Sequence, residues 1–196
     1  GGSMKARISM SVAPCCLLAA APAFAARPVG LVTGFERLES ISHSTVSTTV
    51  AGVEQKSNAW RAGLGTGGGS SYSVPRATLE YAWESGLSIG ASAGFMVSWK
   101  KRSGPNIYVL EPRVGYYFDL GEDLVLWPRV GLTLHELLGP DATHGALTLE
   151  VPLMAFRHEL GSMTVGPFLD LGLGGSQGDA DQSVTELGLA LGFQFL

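Results

Sequence analysis

The sequence predicts an all-β chain folded as an eight-stranded antiparallel transmembrane β-barrel. Three observations carry this: an export-type leader, period-two alternation over most of the remaining chain, and alternating segments longer than ordinary globular strands. Glycine adds weight, with 27 in 196 residues, nearly twice the usual share. Each glycine inside a helix costs about 0.5–1 kcal/mol relative to alanine, so a helical bundle is a poor host for this composition.

The leader comes first. Residues 1–3 read as a linker scar ahead of Met4, and Lys5 and Arg7 open a basic start. An apolar run spans 8–24, and Ala23 and Ala25 flank Phe24 in the A-x-A pattern of a secretory signal peptide. Cleavage is expected after Ala25, so 1–25 is scar plus signal peptide and 26–196 a single barrel domain. Pro14 and Pro22 interrupt the run, which argues against a membrane-spanning anchor. A lipoprotein reading of Val12-Ala13-Pro14-Cys15 fits poorly because of the proline. Both cysteines, Cys15 and Cys16, fall in this segment, so the exported chain would hold neither a disulfide nor a thiolate metal site. Losing Lys5 and Arg7 from 13 basic residues leaves 11 against 17 acidic, a net charge of −6. An acidic chain has no electrostatic ground for binding nucleic acid.

The strands come next. A first strand is expected over 29–43, then seven more near 74–83, 87–99, 107–119, 124–137, 146–158, 163–174 and 184–196. The alternation is cleanest in Leu87-Ser88-Ile89-Gly90-Ala91-Ser92-Ala93-Gly94-Phe95, and at the end of the chain. There Leu187, Leu189, Leu191, Phe193 and Phe195 share one face, opposite Gly188, Ala190, Gly192 and Gln194. Globular strands average about five or six residues, whereas a tilted strand crossing a bilayer needs roughly nine to eleven. Connections alternate between short (84–86, 120–123, 159–162) and longer (100–106, 138–145, 175–183), as in outer-membrane barrels with short periplasmic turns. The insertion at about 44–73, rich in Ser, Thr and Gly, is expected to form a long first outer loop or a hairpin reaching beyond the membrane.

Periodicity alone cannot say whether the apolar face points in or out, but the opposite face can. It carries small residues interspersed with Arg76, Glu80, Glu111, Arg113, Arg129, Glu150, Asp170 and Glu186, which suits a narrow lumen better than a solvated exterior rich in Lys and Glu. Tyr81, Trp83, Trp99, Tyr116, Phe118, Phe193 and Phe195 fall near strand ends on the apolar parity, where amphipathic rings settle at headgroups. The first strand departs from the pattern: Phe35-Glu36-Arg37-Leu38-Glu39 puts a charge on each face in either parity, which a bulge or a start near the headgroups would accommodate.

Two segments carry a resemblance: Pro112-Arg113-Val114-Gly115-Tyr116-Tyr117-Phe118 and, after a short turn, Leu126-Trp127-Pro128-Arg129-Val130-Gly131-Leu132. With their repeated P-R-V-G, the chain over roughly 70–196 resembles the small outer-membrane β-barrel proteins. These are the eight-stranded type that includes the OmpA transmembrane domain and OmpX, and more closely the outer membrane protein β-barrel domain family. The resemblance implies a fold and a place in the bacterial outer membrane, among membrane lipids and lipopolysaccharide. It also implies delivery by the outer-membrane assembly machinery, which reads a final aromatic. Here Phe195 is penultimate and Leu196 last, a departure from that pattern. It implies no activity, since barrels of this size serve many roles.

Charges inside a narrow barrel must pair and hydrogen-bond or suffer heavy desolvation. Arg113 and Arg129 are therefore expected to contact some of Glu80, Glu111 and Glu150, the five fixed donors of arginine bridging several carboxylates. No cofactor, metal or enzymatic activity is expected. His43, His135, His144 and His158 lack metal-ligand spacing, and His135-Glu136 has no local serine for a lipid hydrolase. Gly65-Thr66-Gly67-Gly68-Gly69 lacks the Lys-Ser/Thr of a phosphate loop. The expected role is structural or surface-interacting through the outer loops, whose partner the sequence does not name. A narrow pore and a soluble, lipocalin-like carrier of an apolar ligand stand as alternatives.

Overall fold

A computed structural model describes residues 29–64, 74–96, 106–121, 124–138, 142–158, 161–177 and 180–195. The leader and Trp99 lie outside these residues. The strands are β1 (Gly30–Val50), β2 (Val53–Leu64), β3 (Arg76–Ala82), β4 (Leu87–Met96), β5 (Asn106–Tyr116), β6 (Phe118–Gly121), β7 (Leu124–Leu126), β8 (Arg129–Leu138), β9 (Ala142–Glu150), β10 (Leu153–His158), β11 (Gly161–Gln177) and β12 (Ala180–Phe195). All pairing is antiparallel. The order β1-β3-β4-β5-β8-β9-β11-β12 returns to β1, which closes the sheet, and β6, β7 and β10 continue β5, β8 and β9 toward the short-turn end. The result is a closed, eight-stranded antiparallel barrel.

Three long strands of the sequence pattern are interrupted, at Tyr117, at Trp127-Pro128 and at Val151-Pro152. Proline has no N–H to give a ladder, and here the prolines serve as acceptors only. Tyr116 N–H donates to the Pro128 carbonyl (3.0 Å), Trp127 N–H to that of Pro152 (2.9 Å) and Val151 N–H to that of Pro167 (3.0 Å). The interruptions sit side by side around the short-turn end. Inside them Val32, Ala82, Tyr117, Val125, Trp127 and Met154 form an apolar plug, with the Tyr117 and Trp127 rings stacked at 4.4 Å.

At the other end the strands run further than expected. The connections foreseen over 138–145 and 175–183 are strand on both sides of 139–141 and of 178–179, because pairing continues across β8–β9, β9–β11 and β11–β12. Likewise the segment expected as a first outer loop is strand from residue 44 to Val50 and again over Val53–Leu64. β1 and β2 form one hairpin, turned at Ala51 (φ 49°) and Gly52 (φ 79°).

The faces sort cleanly. Leu31, Ile41, Leu79, Ile89, Leu110, Leu132, Leu134, Leu187 and Leu189 stand exposed on the outside, while charged side chains fill the inside. A carrier of an apolar ligand would need the reverse, so the lipocalin-like alternative fails on this geometry.

Candidate functional site

The lumen is built from side chains on alternate positions of every barrel strand. β1 contributes most, through a departure from regular pairing. Between Phe35 and Glu39 its register with β12 shifts by two residues, and Arg37 takes a left-handed backbone (φ 52°). Two consecutive charges, Glu36 and Arg37, thereby both turn inward and are buried. The bulge restores the original parity, so Ile41 faces out again beyond it. This resolves the conflict the sequence poses at Phe35–Glu39: Glu36 keeps the inward parity of Val32 and Ser40, and the bulge adds Arg37, which alternation would turn outward.

Glu36 lies at the centre. Arg113 grips both its oxygens (Nη2 to Oε1 2.9 Å), Arg129 Nη1 donates to Oε1, and Gln194 Nε2 adds a bond of 3.1 Å. Arg113 also bonds Glu80 through Nε, while its Nη1 lies 3.5 Å from Glu150 and 3.9 Å from Glu111. Arg129 Nη2 donates to Glu150 at 2.6 Å. Arg37 fits Asp170 with two parallel bonds (2.7 and 3.1 Å) and reaches Glu150 with two more (3.0 and 3.2 Å). Arg76 pairs with Glu111, which Ser92 also supports at 3.2 Å, and Thr148 donates to Asp170 at 2.7 Å. Glu186 is buried directly across from Asp170. The expected partners of Arg113 and Arg129 are therefore among those found, and the eight charges read from the sequence all face the lumen.

Aromatic faces complete the belt. The Arg129 guanidinium lies 4.2 Å from the Trp127 ring centre, and Arg37 lies 4.1 Å from that of Phe168. These contacts strengthen in a desolvated site. Chemically this is a plug. Each arginine of the belt is engaged by carboxylates, and among the described residues no group of three or more His, Cys, Asp or Glu is arranged to hold a metal. Beyond the belt, toward the long hairpins, His135 and His144 face one another across β8 and β9, both buried.

Of the expected interfacial aromatics, six are described, and all gather at the short-turn end. Tyr81 and Trp83 (5.1 Å), Tyr116 and Phe118 (4.7 Å), and Phe193 and Phe195 (5.0 Å) pair along their strands, and Phe35 meets Phe195 edge-on at 6.4 Å. One aromatic that alternation leaves in a loop, Trp60 on β2, stands 76% exposed on the outer face against His43 (5.0 Å).

An apolar exterior around an ion-paired interior defines a membrane-spanning β-barrel: in hydrocarbon every backbone group must be satisfied within the wall, and a closed sheet does this. No family model and no curated protein sequence matches the chain. Among solved structures it is similar to the Neisserial surface protein A (14% identity, TM-score 0.45, covering 84% of this chain and 97% of that one). It is also similar to the N-terminal β-barrel domain of Pseudomonas aeruginosa OprF (12%, 0.42, 80% and 97%). A third is the outer membrane protein OprG of the same organism (9%, 0.47, 88% and 99%).

Proposed function

We propose that this chain is an integral protein of a bacterial outer membrane, a barrel that is closed in its resting state and acts structurally or through surface contacts of its outer end. The observation that carries the reading is the belt of Glu36, Arg37, Arg76, Glu80, Glu111, Arg113, Arg129, Glu150 and Asp170, buried inside a wall whose outer residues are apolar. Burying so many charges is tolerable only if they are mutually paired, and the pairing across the lumen is the ground for reading the barrel as closed. The short-turn end then faces the periplasm, and the hairpins β1–β2, β8–β9 and β11–β12 face outward. Membrane lipids and lipopolysaccharide are the partners that follow from this reading. The outer-membrane assembly machinery is its delivery route in this reading.

The test is fractionation of expressing cells, followed by electrophoresis with and without boiling. An outer-membrane band whose mobility changes on boiling supports the reading. A soluble periplasmic protein with no such change would overturn it.

A further inference from the structure

The bulge in β1 turns Arg37 into the lumen and leaves Glu39 on the outside. Glu39 pairs with Leu191 of β12, and Leu191 with Val165 of β11, all on the lipid-facing parity. Its side chain is exposed, and among the described residues none forms a hydrogen bond or ion pair with it. The outward rows of β1 run Leu31, Thr33, Phe35, Glu39, Ile41 and His43. The first lies beside Tyr81 at the short-turn aromatics, and the last beside Trp60 at the opposite end. An acidic side chain therefore stands well inside the apolar layer, between Phe35 and Ile41 on its own strand and beside Leu191. Two residues along a strand advance about 6.7 Å, or roughly 5 Å of depth once the strand is tilted. Glu39 is thus roughly 10 Å from the Trp60 row and roughly 15 Å from the Tyr81 row. Its short side chain cannot reach either boundary as the longer Lys and Arg chains do.

We propose that the outward face around Glu39 is a lateral docking site, within the apolar layer, for another membrane-spanning protein that presents an arginine or lysine there. The inference rests on the membrane-spanning reading above and goes beyond it. Ionisable side chains at membrane depth are costly and almost always pair with one another or with backbone carbonyls, and Glu39 finds no such partner within its own chain. Charge complementarity selects the occupant. A lipid amine belongs to the headgroups, two rows or more away. A second copy related by a two-fold axis along the membrane normal would bring Glu39 against Glu39, like against like. The arginines of the belt, Arg37, Arg76, Arg113 and Arg129, all point into the lumen and are buried, so another copy does not offer them. Around Glu39 the exposed Ile41 and Leu189, with Leu191 and Val165, supply an apolar sheet face on which a second wall or helix can pack. That contact excludes lipid from the ion pair, where a charge-assisted bond is strong.

The experiment measures energy transfer in phosphatidylcholine vesicles between the barrel and a spanning helical peptide of Leu and Ala with one central Arg, Gln or Leu. The full chain, with Cys15→Ser and Cys16→Ser, carries the donor at Thr49→Cys, and the peptide carries the acceptor. The Arg helix is expected to associate several-fold more tightly than the Gln and Leu helices. That preference should vanish in Glu39→Gln and survive in Glu54→Gln, whose carboxylate lies outside the layer and pairs with Lys56 at 3.2 Å. Equal transfer from the three helices, or an Arg preference that persists in Glu39→Gln, would overturn the inference. Transfer between donor- and acceptor-labelled barrels without peptide, lost in Glu39→Gln, would overturn it in favour of a second copy. A chain that does not enter the vesicles, with no change of mobility on boiling, would overturn the spanning reading itself, and this inference with it.

Discussion

Arg113 lies directly across from Gly131, and two residues along the same pair of strands Arg129 lies across from Gly115. The repeated Pro-Arg-Val-Gly is therefore a reciprocal device: each arginine enters the lumen over the glycine of the other copy. A Cβ on Gly131 would stand 2.9 Å from Arg113 Cβ and from Glu111 Oε1. One on Gly115 would stand 2.8 Å from Arg129 Cγ and from the Trp127 indole nitrogen. Gly131→Ala is expected to destabilise the barrel by about 1–3 kcal/mol, as overpacking does. Gly145→Ala, whose nearest neighbours are 4.0 Å away, is expected to change stability little. Urea titration of the boiling-sensitive gel band compares them, and equal midpoints would refute the reciprocal packing.

The outward parity predicts that Leu189→Arg blocks insertion. An arginine facing lipid near the midplane costs about 2–4 kcal/mol, and the yield folded into vesicles is expected to fall accordingly. The partner residue one step along is no neutral control. Although the alternation alone suggests that Gly188→Ser would be mild, a Cβ there would meet the Phe168 ring at 2.7 Å and the Ile41 carbonyl at 2.6 Å. Thr133→Ser, on the lumen side of β8, is the appropriate comparison, and equal loss at Leu189 and Thr133 would contradict the assigned faces.

Strand count, outward parity and eight lumen charges were legible because a two-residue period survives wherever pairing is regular. What escaped depends on irregularity. Glu36 and Arg37 enter together only because β1 bulges, and no period-two rule predicts two adjacent inward residues. Tyr117 and Trp127 lie on the inward parity yet belong to an apolar plug, and their neighbours in sequence, Tyr116 and Phe118, drew attention to the lipid face. The hairpin β1–β2 was one of two readings of a stretch whose Ser, Thr and Gly equally suggested loop, so its strand bounds were not legible. Its two faces are both largely polar, with Thr45, Ser47 and Thr49 on one side of β1 and Ser44 and Thr48 on the other, so hydrophobic alternation does not register it.

Arg37 and Asp170 form a forked pair deep in the lumen, so removing one partner should strand the other. Arg37→Met is expected to cost about 3–5 kcal/mol, the usual result of breaking a buried ion pair. Adding Asp170→Asn should recover part of that loss, since the uncompensated carboxylate is gone. Arg37→Lys should also lose stability, because a single ammonium cannot reproduce the fork. A double-mutant cycle on the folding equilibrium measures the coupling; additive losses would mean that the two side chains do not support one another.

The lumen has two successive barriers, the apolar plug around Trp127 and the charged belt beyond it. Planar-bilayer recordings of the intact barrel are therefore expected to show no steady current. Trp127→Ala removes the largest side chain of the plug, at a cost of about 3–5 kcal/mol in stability, and is expected to leave the belt closed and the bilayer silent. Opening should require both barriers to be breached, as in Trp127→Ala combined with Glu36→Ala, which also releases Arg113 and Arg129 from their shared carboxylate. Discrete current steps from the unaltered protein would show that the belt parts spontaneously, and would make the barrel a narrow pore. Steps from Trp127→Ala alone would assign the seal to the plug and leave the ion pairs a packing role.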